Sequence, residues 1–190
     1  GITLDKEFWM PDSGEATFSL IFPTLPATVK TIDFIESDCE DCFKVWGISL
    51  NGKLPELVLP EEVKQKTNAV EILPAPQLTM GKATLSGKLL DYKHNYQLNL
   101  NAYLCELLTG NENEIPIEIK EDGSFCTAID LSAPTSLDLV MGREKISTLF
   151  MTPGEDTKII INLREISRSQ SKLLKQNKPE GEKLYFSGTM

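Results

Sequence analysis

The chain has 190 residues, of which 41% are hydrophobic and 25% are charged, an ordinary composition for globular domains that is sufficient for one large core or two small ones. Its 28 acidic residues outnumber its 19 basic residues, and the formal net charge of −9 disfavours nucleic acid as a partner because it repels phosphate backbones. No apolar stretch approaches the roughly 20 residues that a membrane-spanning helix needs, so the sequence predicts no membrane span.

The N-terminal part of the chain predicts a small β unit over residues 1–54. Three runs, residues 16–22, 29–36 and 42–50, are rich in β-branched and aromatic side chains and are separated by proline, glycine or acidic turns. Three strands cover little core, so we expect them to form a small domain of their own.

A change in composition over residues 55–80 predicts a linker. Four prolines between positions 55 and 76 bracket a polar piece, residues 61–67, whose sequence is compatible with a short helix. We therefore expect separate structural units before and after this segment.

Residues 81–190 predict an antiparallel β-sandwich of the immunoglobulin-like or Greek-key type. Seven runs have strand character, and turn sequences such as EDGS (residues 121–124) and TPGE (residues 152–155) lie between them. The runs are residues 83–90, 96–108, 115–119, 124–131, 136–140, 146–151 and 157–163. Residues 164–176 have few apolar side chains, which predicts a polar helix or a long loop before a last strand over residues 183–187. The whole chain is thus predicted to be all-β, a sandwich preceded by a small β unit.

One CxxC motif, Cys39-Glu40-Asp41-Cys42, has the spacing that lets two thiols close a disulfide or hold a metal ion. Cys39 and Cys42 are therefore candidate disulfide or redox residues. A thioredoxin-type pair opens a helix, whereas this pair lies between two predicted strands, and the neighbouring carboxylates oppose thiolate formation. These electrostatics favour structural cysteines over a redox pair.

The other two cysteines, Cys105 and Cys126, lie 21 positions apart in separate predicted strands. They do not supply the second CxxC that a four-cysteine zinc site needs. We expect small core-facing side chains or, if the two strands are neighbours, a cross-strand disulfide.

The sequence predicts no catalytic, cofactor-binding or metal-binding residues, and it predicts that this chain is not an enzyme. Its one histidine, His94, lies in a polar turn, and a histidine-dependent nucleophile pair would have to use it. Glycine-rich phosphate motifs and the GxSxG nucleophile motif do not occur. We expect His94 to be a solvated loop residue.

Aromatic clusters are candidate binding sites, because such clusters bind sugars or partner proteins. Residues 8–10 (FWM) lie near the start of the chain, and Tyr92 and Tyr96 flank the His94 turn. The simpler interpretation is that Trp9 and Trp46 belong to the core of the N-terminal unit.

Several segments together carry a resemblance to a known family. They are residues 25–36 (LPATVKTIDFIE), 44–48 (KVWGI), 83–92, 121–125, 153–156, 164–171 and 185–188. In this order they resemble the N-terminal accessory β-domains of TlpA-type, thioredoxin-like thiol-disulfide oxidoreductases exported by Gram-negative anaerobes. The matching motifs are structural and not catalytic, and Ser37 stands where the family has a glycine.

The resemblance implies an accessory region that precedes a thioredoxin-like domain, whose reactive WCxxC motif does not occur in this sequence. The implied function is non-catalytic and needs no cofactor: the region positions the thioredoxin domain, or presents protein partners to it. Because the redox motif of the family does not coincide with Cys39 and Cys42, no redox role is carried over to them. The alternative is a surface lipoprotein module that binds glycan or protein.

The same resemblance implies a periplasmic or outer-membrane-attached location. The chain begins at Gly1 and not at an initiator methionine, which leaves open a signal or lipid anchor that has been removed.

Overall fold

The computed structural model describes residues 6–17, 19, 21–35, 44–53, 56–64, 79–94, 96, 98–105, 110–170 and 181–187. The chain forms two compact units, Gly1–Glu56 and Leu57–Met190. Strands account for 48% of the structure and helices for 7%, which confirms the predicted all-β class.

The described residues of the N-terminal unit form one antiparallel pair, β1 (Thr31–Ile35) and β2 (Lys44–Ser49). Both strands were predicted. The strand predicted over residues 16–22 is wrong for the residues of that segment that the structure describes, 16, 17, 19, 21 and 22, which belong to no strand. Strand propensity reflects packing against cross-strand neighbours, and the described part of this unit supplies no ladder for the segment.

The predicted linker contains α1 (Glu61–Lys64), a short helix within the polar piece expected there. The rest of this piece, residues 65–67, and most of the remaining linker lie outside the described residues. The three-part division into residues 1–54, 55–80 and 81–190 therefore stays a prediction.

The larger unit is β-sandwich-like, with two four-stranded sheets. Its strands and second helix are β3 (Gly81–Leu90), β4 (Leu100–Cys105), β5 (Glu112–Ile117), β6 (Ser124–Leu131), β7 (Thr135–Met141), β8 (Glu144–Met151), β9 (Asp156–Asn162), α2 (Leu163–Gln170) and β10 (Leu184–Phe186). The first sheet has the order β10-β9-β3-β6, and the second sheet has the order β5-β4-β7-β8.

One strand pair departs from the predicted antiparallel pattern: β3 and β9 are parallel. The turn before β9 explains the direction, because Gly154 donates a backbone hydrogen bond to Lys82 and Thr84 donates one to Glu155. These bonds place the start of β9 beside the start of β3. The chain enters the two strands from the same end of the sheet, and they run in the same direction.

The core lies on the inner faces of the two sheets. Alternate residues of a strand point to the same face, and in the first sheet Leu85 and Ile159 are less than 2% exposed. In the second sheet Leu137, Leu139 and Leu149 are equally buried. Both sheets therefore contribute an apolar face to one core.

Helix α2 occupies the first part of the segment predicted as a polar helix or a loop; residues 171–180 lie outside the described part. Asn162 caps its N-terminus, since its Oδ1 accepts a hydrogen bond from the backbone N–H of Glu165 at 3.4 Å. Leu163 and Ile166 are buried, so the helix is held by an apolar face as well as by its cap.

Candidate protein-interaction surface

The N-terminal unit exposes many large apolar side chains, and none of its described residues is buried. Trp9 is 84% exposed and Ile21 is 97% exposed. The ten exposed residues, here called the N-terminal apolar set, are Phe8, Trp9, Met10, Ile21, Phe22, Leu25, Ile35, Val45, Ile48 and Leu50. Single apolar residues on a surface are ordinary, but so many in a unit of this size are typical of interaction sites.

The exposure of Trp9 corrects the expectation that it belongs to a core. A two-stranded sheet offers too little covering surface to bury a side chain of this size. The side chain of Trp46, the other predicted core residue, lies outside the described part of the structure.

The β1–β2 hairpin has one apolar face. Ile32 lies opposite Ile48, and Phe34 lies opposite Val45. The register shifts between these two pairs, as it does at a β-bulge, and Gly47 has a φ of 68°. Ile32 and Phe34 are half-buried, whereas Val45 and Ile48 are 36% and 37% exposed, so this face is only partly covered.

Asp33 fixes the irregular part of the hairpin. Its Oδ1 accepts a hydrogen bond from the backbone N–H of Gly47 at 2.9 Å. A positive φ is easily adopted by glycine because it has no Cβ. The aspartate and the glycine together set the register that places the four apolar residues on one face.

The candidate disulfide or redox residues, Cys39 and Cys42, lie outside the described residues. The segment that contains them connects Ile35 and Lys44, which are cross-strand partners. The proposed roles of these two cysteines stay predictions.

The exposed positions of Cys105 and Cys126 correct the expectation that they face the core. Cys126 follows the buried Phe125 on β6, and neighbouring residues of a strand point to opposite faces. Cys105 is the last residue of β4, in the other sheet. Both thiols are free, so the alternative of a cross-strand disulfide is also wrong.

The aromatic pair beside His94 belongs to the sandwich itself. The rings of Tyr92 and Tyr96 meet edge to face, with centroids 6.3 Å apart, and Tyr96 is only 5% exposed. The Lys93 ammonium lies 5.7 Å from the centre of the Tyr96 ring. His94 is exposed in the turn, as predicted. This group anchors a loop and leaves little aromatic surface for a ligand.

A polar group on the outer face of the second sheet was not predicted from the sequence. The Oε1 atom of Glu114 accepts a hydrogen bond from Asn101 Nδ2 at 2.7 Å. A hydrogen bond between Tyr103 and Glu114 raises the pKa of the Tyr103 hydroxyl, because the carboxylate stabilises the protonated phenol. Cross-strand register brings these residues together, since Tyr103 lies opposite Glu114.

The same outer face continues to β7 and β8. Asp138 accepts hydrogen bonds from Lys145 Nζ at 2.6 Å and from Thr148 Oγ1 at 2.7 Å. These two donors lower the pKa of the Asp138 carboxyl group. The face therefore presents ordered carboxylates with a tyrosine ring between them.

Glu62 of α1 connects the beginning of the larger unit to its last strands. Its Oε2 accepts hydrogen bonds from Lys158 Nζ and from Ser187 Oγ, both at 2.7 Å. The bond from Lys158 contributes most to lowering the pKa of the Glu62 carboxyl group. This contact is not predictable from the sequence, because Lys158 and Ser187 lie 96 and 125 positions from Glu62.

Within the described ranges, no three histidine, cysteine, aspartate or glutamate side chains lie close enough together to hold a metal ion. The described helices are also too short or too polar to cross a membrane. The sequence matches no protein-family model and no curated protein.

Proposed function

We propose that this chain is a non-catalytic accessory region of an exported thiol-disulfide oxidoreductase-like protein, and that its N-terminal unit binds the protein partner. The N-terminal apolar set carries the proposal. Apolar surface in contact with water costs on the order of 25 cal/mol per Å² relative to burial. A partner that covers these side chains recovers that free energy, which gives the exposed surface a function.

The composition of the set favours a protein as the partner. Phe8, Trp9 and Phe22 are aromatic, and aromatic anchors together with methionine are enriched at the centres of protein interfaces. The resemblance to the TlpA-type family supports a thioredoxin-like domain as this partner. It also supports a periplasmic or outer-membrane-attached location.

The reading frame that encodes the chain gives the first test. The proposal requires a thioredoxin-like domain in that frame. A frame that ends near Met190 without such a domain contradicts the accessory function.

Calorimetric titration of the chain with that thioredoxin-like domain gives the second test. Trp9→Ser combined with Phe22→Ser should weaken binding at least about tenfold, as loss of interface anchors does. The matched control is Val58→Ser combined with Met80→Ser, two exposed apolar residues of the larger unit. Absence of binding, or equal weakening by both double variants, would refute the proposed role of the N-terminal unit.

An insulin-reduction assay tests the non-catalytic part of the proposal. We expect the chain and its Cys39→Ser variant to reduce insulin at the same background rate. Activity in the unmodified chain that the substitution removes would instead make Cys39 and Cys42 a redox pair.

The alternative, a surface module that binds glycan, is favoured by the outer face of the second sheet. There Tyr103 is half-buried beside Glu114 and Asn101, and an aromatic ring next to hydrogen-bonding groups suits a polyhydroxylated ligand. Titration with linear glucose oligomers checks it. Binding that Tyr103→Ala abolishes, and that Trp9→Ser with Phe22→Ser leaves unchanged, would favour this alternative.

A further inference from the structure

The turn that follows β2 contains the dipeptide Asn51-Gly52, and both residues are exposed. Asn51 Oδ1 accepts a hydrogen bond from the backbone N–H of Lys53 at 3.0 Å. This bond makes an Asx turn, in which the side chain reaches past the next residue to the one after it. The turn therefore holds the side-chain amide of Asn51 close to the Gly52 nitrogen.

A second donor approaches the same oxygen. The Ser49 hydroxyl donates to Asn51 Oδ1 at 2.7 Å, and it also lies 2.5 Å from the carbonyl oxygen of Lys53. A hydroxyl hydrogen rotates to suit its acceptors, so it turns to Oδ1 when negative charge develops there. Ser49 and the Lys53 N–H therefore form a pair of donors of the kind that stabilises an oxyanion.

The backbone nitrogen of Gly52 is free to react. Among the residues that the structure describes, none accepts a hydrogen bond from its N–H. A Cβ at Gly52 would meet no atom within 4 Å, and glycine itself has no side chain that hinders bond formation at its nitrogen. This nitrogen thus lies unhindered beside a polarised amide carbon.

The turn before β6 has the same kinds of donor but a blocked nitrogen. Asp122 Oδ1 accepts hydrogen bonds from Ser124 Oγ at 2.7 Å and from the Ser124 N–H at 3.0 Å. Here, however, the N–H of Gly123 donates to the carbonyl oxygen of Lys120 at 2.9 Å, and the glycine is buried. Of these two turns, the one at Gly52 alone combines both donors with an available nitrogen.

We propose that Asn51 is a site of self-catalysed deamidation, at which the asparagine converts to aspartate and isoaspartate through a succinimide. The Gly52 nitrogen loses its proton to a hydroxide ion and forms a bond to Asn51 Cγ. The negative charge that develops on Oδ1 is stabilised by the two donors. The bond between Cγ and Nδ2 then breaks, and Nδ2 leaves as ammonia with a proton from water, which regenerates the hydroxide ion.

Water opens the succinimide ring at one of its two carbonyl carbons. Attack at Cγ gives aspartate, whereas attack at the backbone carbonyl carbon of residue 51 gives isoaspartate and lengthens the backbone of the turn. Either product adds one negative charge next to Leu50, a member of the N-terminal apolar set. The site itself does not depend on the proposed partner of that set.

Mass spectrometry of the full chain, aged at mildly alkaline pH in oxygen-18-labelled water, tests the proposal. Trypsin cleaves after Lys44 and Lys53, so residues 45–53 form one peptide that contains the site. We expect this peptide to lose its amide and to gain one labelled oxygen, and to separate chromatographically into aspartate and isoaspartate forms. The rate should rise with pH, because the Gly52 nitrogen must lose its proton. Asn51→Gln should stay unmodified, since its longer side chain disfavours the five-membered ring.

Substitutions at Ser49 test the donor pair. Ser49→Ala should slow the reaction about fivefold, as expected for the loss of one exposed hydrogen bond to the developing charge. Ser49→Thr keeps the hydroxyl and should react at nearly the unmodified rate. In concentrated urea the turn is lost, so Ser49→Ala and the unmodified chain should react at the same rate.

Asp122→Asn is the matched control, because it places the same dipeptide in the turn whose glycine nitrogen is blocked. We expect the new amide at position 122 to persist while Asn51 reacts. Equal rates at the two positions overturn the proposal, since a free N–H would then not select the site. An Asn51 amide that persists in the folded chain also overturns it, as does a rate that Ser49→Ala leaves unchanged or slows equally in urea.

Discussion

In the sandwich, Leu85, Leu139 and Ile159 are completely enclosed, whereas in the N-terminal unit Trp9 and Ile21 lie almost entirely in solvent. Both regions contain β-strands and large apolar side chains. They differ in the number of strands, since the sandwich has two sheets of four strands around a core, whereas the described residues of the N-terminal unit form one pair of strands and include no buried side chain. Apolar residues of the sandwich therefore stabilise the fold, while those of the N-terminal unit are available for binding.

The largest contrast in stability should come from a buried and an exposed apolar residue. Leu139→Ala should lower the free energy of unfolding by about 3 kcal/mol, because it leaves a cavity in the core. Ile48→Ala in the hairpin should change it by less than about 0.5 kcal/mol. Urea denaturation measures both. If Ile48→Ala lowered the free energy of unfolding as much as Leu139→Ala does, the N-terminal unit would have a core of its own.

Strand β3 makes a close backbone contact inside the sandwich at Gly87. A Cβ at Gly87 would overlap the Ile159 carbonyl oxygen on β9 and the ring of Phe125 on β6. Gly87→Ala should therefore destabilise the chain by about 2 kcal/mol, as overpacking does. In the hairpin, Ile35→Ala is the control, since Ile35 is 39% exposed. If both variants unfold at the same midpoint temperature, the close packing around β3 is contradicted.

The cap of α2 should have an intermediate effect. Asn162 Oδ1 accepts from the Glu165 N–H, and Asn162 Nδ2 donates to the Glu182 carbonyl oxygen at 3.2 Å. Asn162→Ala removes both bonds and should cost about 1 kcal/mol or somewhat more. Asn162→Ser keeps a neutral capping oxygen but loses the donor, so it should lower the free energy of unfolding by less than Asn162→Ala does in urea denaturation. A larger decrease for the serine variant would show that capping is not the main role.

The smallest expected effect is a change in acid sensitivity. The pKa of Asp138 is lowered by Lys145 and Thr148, so its contribution to stability is complete above its unfolded-state pKa of about 4. The contribution is lost as the pH falls through the lower folded-state value. The stability difference between the chain and Asp138→Asn should therefore shrink below about pH 4. Because the side chain is 38% exposed, this difference is small.

Lys145→Met provides the control for the acid effect. This substitution removes the stronger cause of the lowered pKa, so stability should depend less on pH in the acid range than in the unmodified chain. Urea denaturation at several pH values measures the free energy of unfolding. If it depends on pH in both variants as it does in the unmodified chain, the Asp138 contacts do not stabilise the fold.

The sequence predicted the strands of the sandwich well where side chains alternate, as in β6 and β7, because burial on one face imposes a period of two. It could not predict that β9 runs parallel to β3, since this depends on backbone bonds of the turn at Gly154. The run at residues 16–22 has the composition of a strand but no partner strand among the described residues. Strand propensity depends on the local sequence, whereas strand pairing depends on residues far away in the chain.

The candidate surface was predictable only in part. The aromatic cluster at residues 8–10 marks Trp9 as a candidate binding residue, but the simpler interpretation of the sequence, that Trp9 belongs to a core, is wrong. The contacts of Glu62 with Lys158 and of Tyr103 with Glu114 were not predictable, because they depend on strand register and on long-range folding. The residue types show which of these side chains can form ion pairs or hydrogen bonds, but only the fold shows which of them lie side by side.

Native-state amide hydrogen exchange of the free chain tests the central contrast most directly. We expect amides of β3 and β9 to exchange only through global unfolding, and those of β1 and β2 to exchange much faster, since a two-stranded sheet without a core opens locally. Protection of the β1–β2 amides equal to that of the β3 amides would contradict this contrast between the two units, because it would mean that the N-terminal unit is stable without a partner.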